Sequence, residues 1–256
     1  MDKKSITLIV ITIVLIVLTA LQKPFSQPAS YHQFADQVSF WGISNAWNVL
    51  TNLPFIIVGG YGLYCLTITS TSAAIKRMYT ILFLGIILTG IGSAFYHLVP
   101  DNFRLLFDRL PMTIIFMSFL AITVYEWISP QWGNRLFYLL LLVGFVSLGW
   151  WYYTEQQGRG DLRFYLFVQF YPMLAIPLIY WLYRSPEKNR KIRILIWVFL
   201  WYIVAKVAEV YDEQLFAAIG FSGHSIKHLA AAVATWYMVR FYEKYYQASP
   251  LLALPA

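Results

Sequence analysis

Eight long apolar runs constrain the fold of this chain more than any other feature of its sequence. Each run has about the 17–25 residues that an α-helix needs to cross a bilayer. Strands of a membrane barrel would be about ten residues long and would alternate between polar and apolar side chains, whereas these runs are uniformly apolar. The sequence therefore predicts an all-α polytopic membrane protein with helices over residues 5–22, 47–68, 78–98, 109–128, 136–153, 164–183, 193–211 and 224–243.

The composition supports a membrane protein with a single domain. Hydrophobic residues make up 59% of the chain and charged residues only 12%, which is about half the charged fraction of a soluble domain. No linker, internal repeat or low-complexity segment divides the sequence. The single cysteine, Cys65, lies inside an apolar run and has no second cysteine with which to form a disulfide.

The first apolar run has two interpretations. It follows a basic start, MDKK, and has the length of a signal peptide. No clear small-residue cleavage site follows it, which favours an uncleaved signal anchor over a removed signal peptide. In both cases a seven-transmembrane-helix bundle remains. We expect the anchor or signal peptide over residues 1–25, the membrane domain over residues 26–246 and a C-terminal tail over residues 247–256.

Lysine and arginine predict the orientation of the helices, because cytoplasmic loops of membrane proteins carry an excess of these residues. If the N-terminus is cytoplasmic, twelve of these residues fall on the cytoplasmic side and five on the outer side. We therefore expect an integral protein of a bacterial inner membrane with both termini in the cytoplasm. The net charge of +7 reflects this excess of basic residues on the cytoplasmic side, which suits membrane lipids with anionic headgroups. Nucleic acid is not expected as a partner.

Three of the four histidines lie at the ends of predicted helices, where ionisable residues are costly and usually functional. His97 ends the third run, and His224 and His228 begin the eighth with a spacing that places both rings on one helix face. Ser93 lies one turn before His97, and Asp108 begins the fourth run. Because successive helices alternate in direction, all five residues fall at outer helix ends. The sequence therefore predicts that they form one site.

The residue types in this group indicate a zinc site. Three neutral imidazoles leave the fourth position of a tetrahedral zinc ion for water, as in catalytic centres. Simpler interpretations also exist for single residues. His32, in an outer loop, is expected to be an interface residue or a satisfied hydrogen-bond partner, and Asp108 beside Arg109 also fits an ordinary ion pair.

Three further charged residues lie near the outer ends of the last two predicted helices. Lys206 and Glu209 are three residues apart, which fits a helical ion pair or, alternatively, contact with a lipid headgroup. Lys227 is expected on a different helix face from the two neighbouring histidines, with its ammonium reaching towards the outer interface.

The motifs GSAFYHLVPDN and FDRLPM, together with HSIKH in the last run, resemble the alkaline ceramidase family, and in particular its bacterial branch. The segment FWGISNAWNVLTNLPFIIVGGYGL resembles the family's first core helix, so the resemblance covers residues 30–245. These proteins are seven-helix membrane hydrolases, in a superfamily that also holds adiponectin and progestin receptors. The first apolar run is additional to that plan.

The resemblance implies a role for each residue of the predicted site. His97, His224 and His228 would bind zinc. Asp108 would move the proton of the activated water, and Ser93 would hydrogen-bond the developing oxyanion. The implied reaction is zinc-dependent hydrolysis of a lipid amide, foremost ceramide, to a fatty acid and a sphingoid base. Membrane lipids and a lipid-amide substrate are the expected partners.

The resemblance also suggests calcium as a second metal. Eukaryotic relatives hold calcium through a carboxylate-rich stretch before the first core helix. The matching stretch here, HQFADQVSFWGISNAW, offers one carboxylate, Asp36, and Asn45 stands where relatives have an acid. Asp36, Asn45 and Asn48 would form a weaker site, since calcium prefers six to eight oxygen ligands. The alternative is that Asp36 and Asn45 cap the following helix.

Two other functions compete with the hydrolase. A seven-helix protein of the adiponectin/progestin receptor type would use zinc structurally or for weak hydrolysis. A transporter is the third alternative, although the charged residues cluster at one membrane face and do not form a path at the midplane. The motif context around His97 and Asp108 favours the hydrolase.

Overall fold

Helices form nearly the whole structure, as the apolar runs predict. The computed structural model describes residues 2–246, and over that range it contains no β-strand. The predicted tail, residues 247–256, lies outside the described residues. A 3-10 helix covers Ala29–His32, and the α-helices are α1 (Lys3–Leu21), α2 (Ala46–Leu50), α3 (Leu53–Thr67), α4 (Ala73–Leu98), α5 (Asn102–Trp127), α6 (Pro130–Gln156), α7 (Arg163–Leu182), α8 (Pro186–Val210), α9 (Asp212–Ile219) and α10 (Gly223–Tyr246).

The helices have the lengths of membrane spans. Within the described part of the chain, six spans are long and apolar enough to cross a bilayer, and the bent pair α8 and α9 brings the number to as many as seven. Helix α10 is not among these spans. It is 24 residues long, packs inside the bundle and carries His224, Lys227 and His228 in its first two turns. The prediction of an all-α polytopic membrane protein is confirmed.

The second predicted run is not one continuous helix. Helix α2 ends at Leu50, and α3 begins at Leu53 with Pro54 in its first turn. Proline lacks a backbone N–H and is tolerated at the start of a helix, where that donor has no partner in any case. The break leaves Thr51 and Asn52 between the two helices, beside the histidines.

The connection between α8 and α10 also differs from the prediction, which contains no helix there. The chain bends by 81° after α8 and forms the short helix α9. Gly220 ends α9 with a φ of 69°, a left-handed conformation that glycine adopts without strain. The turn places Asp212, at the start of α9, against the first turn of α10.

Helix α5 occupies the centre of the bundle. Helices α3, α4, α5 and α6 pack in sequence order, α7 packs on α5 and α6, and α10 lies between α3 and α8. Helix α1 packs on α7 and contains no buried residue. The seven-helix core therefore encloses the site, and α1 stands outside it.

Two glycines allow helices to approach closely beside the predicted site. A Cβ atom at Gly92 would lie 1.9 Å from the Phe107 carbonyl oxygen, and a Cβ atom at Gly223 would lie 2.2 Å from the Ala208 carbonyl oxygen. Only glycine fits at such contacts. Gly92 brings α4 against α5, and Gly223 brings the start of α10 against the end of α8.

Candidate metal centre and adjoining cavity

The three predicted histidines come together at one end of the bundle. His97 lies in the last turn of α4, and His224 and His228 lie in the first two turns of α10. One ring nitrogen from each forms a group whose members all lie within 4.8 Å of one another. All three side chains are buried. Three buried imidazoles in this arrangement can bind a metal ion.

Hydrogen bonds prepare His228 as a metal ligand. The Thr51 hydroxyl donates to the Trp47 carbonyl oxygen at 2.7 Å, so its oxygen is left to accept from Nδ1 of His228 at 3.0 Å. The Asn52 side-chain nitrogen lies farther from Nδ1, at 3.4 Å, so the Thr51 contact favours a proton on Nδ1 and a lone pair on Nε2. Nε2 is buried and has no hydrogen-bond partner within the described residues. A metal ligand is commonly oriented in this way through its second nitrogen.

His97 is held from its backbone. The Asn45 side-chain amide donates to the His97 carbonyl oxygen at 2.8 Å, while Nδ1 of His97 is buried without a partner in residues 2–246. The Phe34 ring contacts His97 and His224 edge-on, with centroids 4.6 and 4.4 Å apart. Two buried nitrogens without partners in one cluster fit a metal ion better than a purely structural core, because an unsatisfied buried polar atom is costly.

Asp108 and Ser93 face a cavity that begins at this histidine cluster. The cavity of about 90 Å³ has Ser93, Asp108, Lys227 and His228 at its polar end. Its other walls are mainly apolar and come from α3, α4, α5, α7, α8 and α10. Along α10 it extends from His228 to Met238, which is about 15 Å of helix. The cavity therefore has a polar end at the histidine cluster and mainly apolar walls beyond it.

Arg109 does not pair with Asp108. Its guanidinium lies over the rings of Trp151 and Tyr165, at 4.6 Å from each centroid, and donates to the Gln27 side-chain oxygen at 2.6 Å. The ion-pair interpretation of Asp108 and Arg109 is therefore wrong, because cation–π contacts hold the arginine elsewhere. The Asp108 carboxylate is left facing the cavity.

Lys227 also differs from its prediction. Its ammonium donates to Glu209 at 2.7 Å and lies 3.0 Å from Nε2 of His224. The predicted position on another face, reaching towards the interface, is wrong because Glu209 of α8 draws the side chain inward. The expected pair of Lys206 and Glu209 is present at 2.7 Å. Glu209 therefore joins two lysines beside the site.

The three candidate calcium ligands already bond to protein groups. Asp36 accepts from the backbone N–H groups of Val38 at 3.1 Å and Asn48 at 2.8 Å, so it caps the start of α2. Asn45, the other residue of the alternative interpretation, makes no capping hydrogen bond with its side chain. The side-chain oxygen of Asn48 accepts from Ser225 at 2.8 Å, and Asn45 holds His97. Calcium would have to replace these donors, and its site remains a prediction.

The remaining histidine lies outside the cluster. The ring nitrogens of His32 contact the Tyr96 hydroxyl at 2.9 Å and the Asn102 side-chain oxygen at 3.0 Å. Both nitrogens are thus satisfied. This is the structural role that the sequence predicts for it.

Three residues of the site were not found from the sequence. Thr51 reaches His228 only because of the break between α2 and α3, for which Pro54 is the one available signal. Asp212 accepts from the backbone N–H groups of His224 at 2.9 Å and Ala35 at 3.0 Å, and so fixes both α10 and the segment that carries Phe34. A phenylalanine in a loop gives no sequence signal for such a position.

Comparison with protein families now gives the context for this geometry. The Ceramidase family model matches residues 35–249, a range that includes every residue of the histidine cluster and the cavity. The chain belongs to the Ceramidase family. Membership supports a hydrolase that acts on amides, and ceramide hydrolysis in general. Comparisons with curated proteins and with solved structures gave no match.

Proposed function

We propose that this chain is a zinc-dependent amidase of the membrane that hydrolyses a lipid amide, foremost ceramide, to a fatty acid and a sphingoid base. The observation that carries the proposal is the position of three buried histidines at the polar end of an otherwise apolar cavity. That arrangement suits a substrate whose amide lies at headgroup depth while its chains lie among apolar side chains. Family membership supports the same chemistry.

His97, His224 and His228 would hold the zinc ion. A zinc ion bound by three neutral imidazoles supplies a Lewis acid that lowers the pKa of a water molecule to about 7. Thr51 orients His228, and the Asn45 side chain and Gly92 position His97. Phe34 covers the histidines and limits contact with bulk water, which strengthens electrostatic interactions in the site.

Asp108 and Ser93 would complete the reaction. The Asp108 carboxylate takes the proton of the attacking water and returns it to the nitrogen of the leaving amine, as a general base and then a general acid. The Ser93 hydroxyl donates to the oxygen of the former amide carbonyl as negative charge develops there. Ser93 is a hydrogen-bond donor in this scheme and forms no bond to the acyl group.

Metal content and lipid hydrolysis test the proposal together. Purified protein should contain close to one zinc ion per chain and release fatty acid from a panel of lipid amides, measured by mass spectrometry. His228→Ala should lose both properties. His32→Ala, which removes a histidine outside the cluster, should keep both. Undiminished zinc in His228→Ala would contradict the proposed metal site. Wild-type protein that binds zinc but hydrolyses no lipid amide would contradict the proposed amidase activity.

A further inference from the structure

Lys227 has hydrogen-bond donors that the proposed mechanism does not use. An ammonium group carries three donors and no acceptor. Glu209 takes one of them at 2.7 Å, and Nε2 of His224 lies 3.0 Å away. Lys227 lines the polar end of that cavity together with Ser93 and Asp108. A cation therefore faces the place where the polar head of a lipid amide would lie.

The neighbours of Lys227 fix its position. Glu209 also pairs with Lys206 at 2.7 Å, and the Lys206 ammonium lies over the Phe170 ring and not in the cavity. The carboxylate between two lysines holds the Lys227 ammonium at one point. That point lies at the polar end of the cavity and is largely shielded from solvent, and electrostatic interactions are stronger there than in water.

We propose that Lys227 determines substrate specificity by binding an oxygen close to the amide nitrogen of the lipid, and that it favours a carboxylate over a hydroxyl. The inference rests on the proposed amidase function and narrows its substrate class to N-acyl lipids with an oxygen acceptor on the amine part. Hydrogen bonds between two charged groups are roughly twice as strong as neutral ones. Ceramide belongs to this class because its sphingoid base offers a hydroxyl close to the amide nitrogen. An N-acyl amino acid, which offers a carboxylate at that place, should bind better than the matching N-acyl amino alcohol.

Two lipids that differ only in this oxygen group test the inference: N-oleoylglycine and N-oleoylethanolamine. The wild-type protein should have a KM about tenfold lower for N-oleoylglycine, since tenfold corresponds to one charge-assisted hydrogen bond in place of a neutral one. Lys227→Met should remove this preference through KM with little change in kcat. Lys206→Met, which removes the other lysine on Glu209, should keep it. Zinc content is measured in all three proteins, and kcat is expressed per bound zinc ion, because Lys227 contacts the proposed ligand His224.

Failure of the inference can be distinguished from failure of the proposed function. A preference that survives in Lys227→Met, or is lost equally in Lys206→Met, would overturn the role of Lys227 while leaving the amidase intact. If neither lipid is hydrolysed, the same two lipids serve as ligands in equilibrium binding. A binding preference for N-oleoylglycine that Lys227→Met abolishes would then support the inference, and equal binding would overturn it.

A second site lies at the opposite end of the bundle, between the start of α8 and the end of α10. A surface pocket of about 440 Å³ is lined there by Arg190, Lys191, Arg193 and Lys244, with Glu187 as the one acidic residue. The Tyr245 hydroxyl donates to the Arg190 carbonyl oxygen at 2.8 Å and joins the two helices. The pocket is therefore part of a defined contact between helices.

Most of the positive charge in this pocket has no partner. Lys191 pairs with Glu126 at 3.3 Å. Arg190, Arg193 and Lys244 are exposed and form no ion pair within residues 2–246. The pocket lies at the ends of membrane-spanning helices, which is the depth of lipid headgroups. Basic pockets of this kind between helices bind anionic headgroups.

We infer that this pocket binds the phosphate of an anionic membrane lipid. Purified protein should be stabilised more by phosphatidylglycerol than by phosphatidylcholine with the same acyl chains, measured as a shift in unfolding temperature and as lipid retained in native mass spectrometry. The triple change of Arg190, Arg193 and Lys244 to Gln should weaken phosphatidylglycerol binding by at least about tenfold, since each cation near an anionic membrane surface contributes to the attraction.

A matched control removes the same charge elsewhere at this end of the bundle. Lys3, Lys76 and Arg135 are exposed there, and their triple change to Gln should leave phosphatidylglycerol binding unchanged. Equal loss in both triple variants would overturn the inference in favour of general surface attraction. Stabilisation by inorganic phosphate at the same concentration would overturn the assignment to a lipid.

Discussion

At the scale of single residues, Asp108 has the most specific role, because its carboxylate faces the cavity without pairing with Arg109. Asp108→Asn keeps the size of the side chain but cannot take a proton. We expect a loss of about 10²–10⁴-fold in rate with zinc content unchanged, measured by fatty-acid release and elemental analysis. Asp101→Asn serves as the control, since Asp101 caps α5 through Arg104 outside the cavity. Full activity in Asp108→Asn would leave Asp108 a structural residue.

Thr51 gives a second test at this scale. Thr51→Val preserves shape and removes the oxygen that accepts from Nδ1 of His228. Zinc affinity should fall by about 10–100-fold, as for other groups that orient a metal ligand, measured by competition with a chelator. Thr80→Val is the matched control, because Thr80 also donates to a carbonyl four residues earlier, at 2.7 Å, but lies at the other end of α4. An unchanged affinity in Thr51→Val would show that His228 needs no such support.

The sequence predicts the five residues of the site because their types and spacings report chemistry directly. Histidines one turn apart and a carboxylate at the next helix start follow from helical periodicity and the alternation of helix directions. The prediction for Lys227 was wrong because helical periodicity gives the direction of a side chain only approximately. The position of Glu209 on another helix determines where the Lys227 ammonium lies. Thr51 and Phe34 depend on a helix break and on a loop, for which periodicity gives no information.

At the scale of helices, close approach between α4 and α5 sets the distance from Ser93 and His97 to Asp108. Gly92→Ala would place a methyl group against the Phe107 carbonyl oxygen, so the two helices must separate. We expect a cost of about 1–3 kcal/mol in stability and a loss of activity, measured by thermal unfolding and lipid hydrolysis. Gly149→Ala in α6 is the control, because a Cβ there meets no atom within 4 Å.

The helices themselves were predictable from length and apolarity, and their breaks were not. Apolar runs of bilayer length require backbone hydrogen bonds within each segment, which leaves a helix as the outcome. The break before Pro54 and the 81° bend after α8 are decided by side-chain partners. Asn48 joins α2 to Ser225 of α10, and Asp212 caps the first turn of α10. Both breaks therefore position residues that contact the histidine cluster.

At the scale of the whole molecule, α1 is separable from the core that carries the site. It contacts α7 through hydrogen bonds of Thr12 with Tyr171 at 2.7 Å and Ser5 with Tyr183 at 2.9 Å. At its end, Arg163 donates to the carbonyl oxygens of Ala20 and Gln22 at 2.9 and 2.5 Å. None of its residues is buried, so it adds little apolar burial to the core.

The position of Arg163 depends on a carboxylate in the loop before α7. The hydrogen bond from Arg163 holds the pKa of Asp161 at about 2, below its usual 3.8. A lowered pKa means that the carboxylate stabilises the folded state above pH 3.8 and that this contribution is lost as the pH falls towards 2. The hydrogen bonds from Arg163 to the end of α1 are therefore intact at neutral pH.

Removal of residues 1–25 should consequently leave the site functional. The shortened chain loses the contacts of α1 with α7 and the hydrogen bonds from Arg163 to the end of α1. It keeps every residue of the histidine cluster and the cavity. We expect unchanged zinc content and a rate of lipid-amide hydrolysis within about twofold of the full chain, since no removed group touches the site. Elemental analysis and fatty-acid release check this. Loss of zinc from a folded, shortened chain would mean that α1 belongs to the hydrolase unit and that the boundary at residue 25 is misplaced.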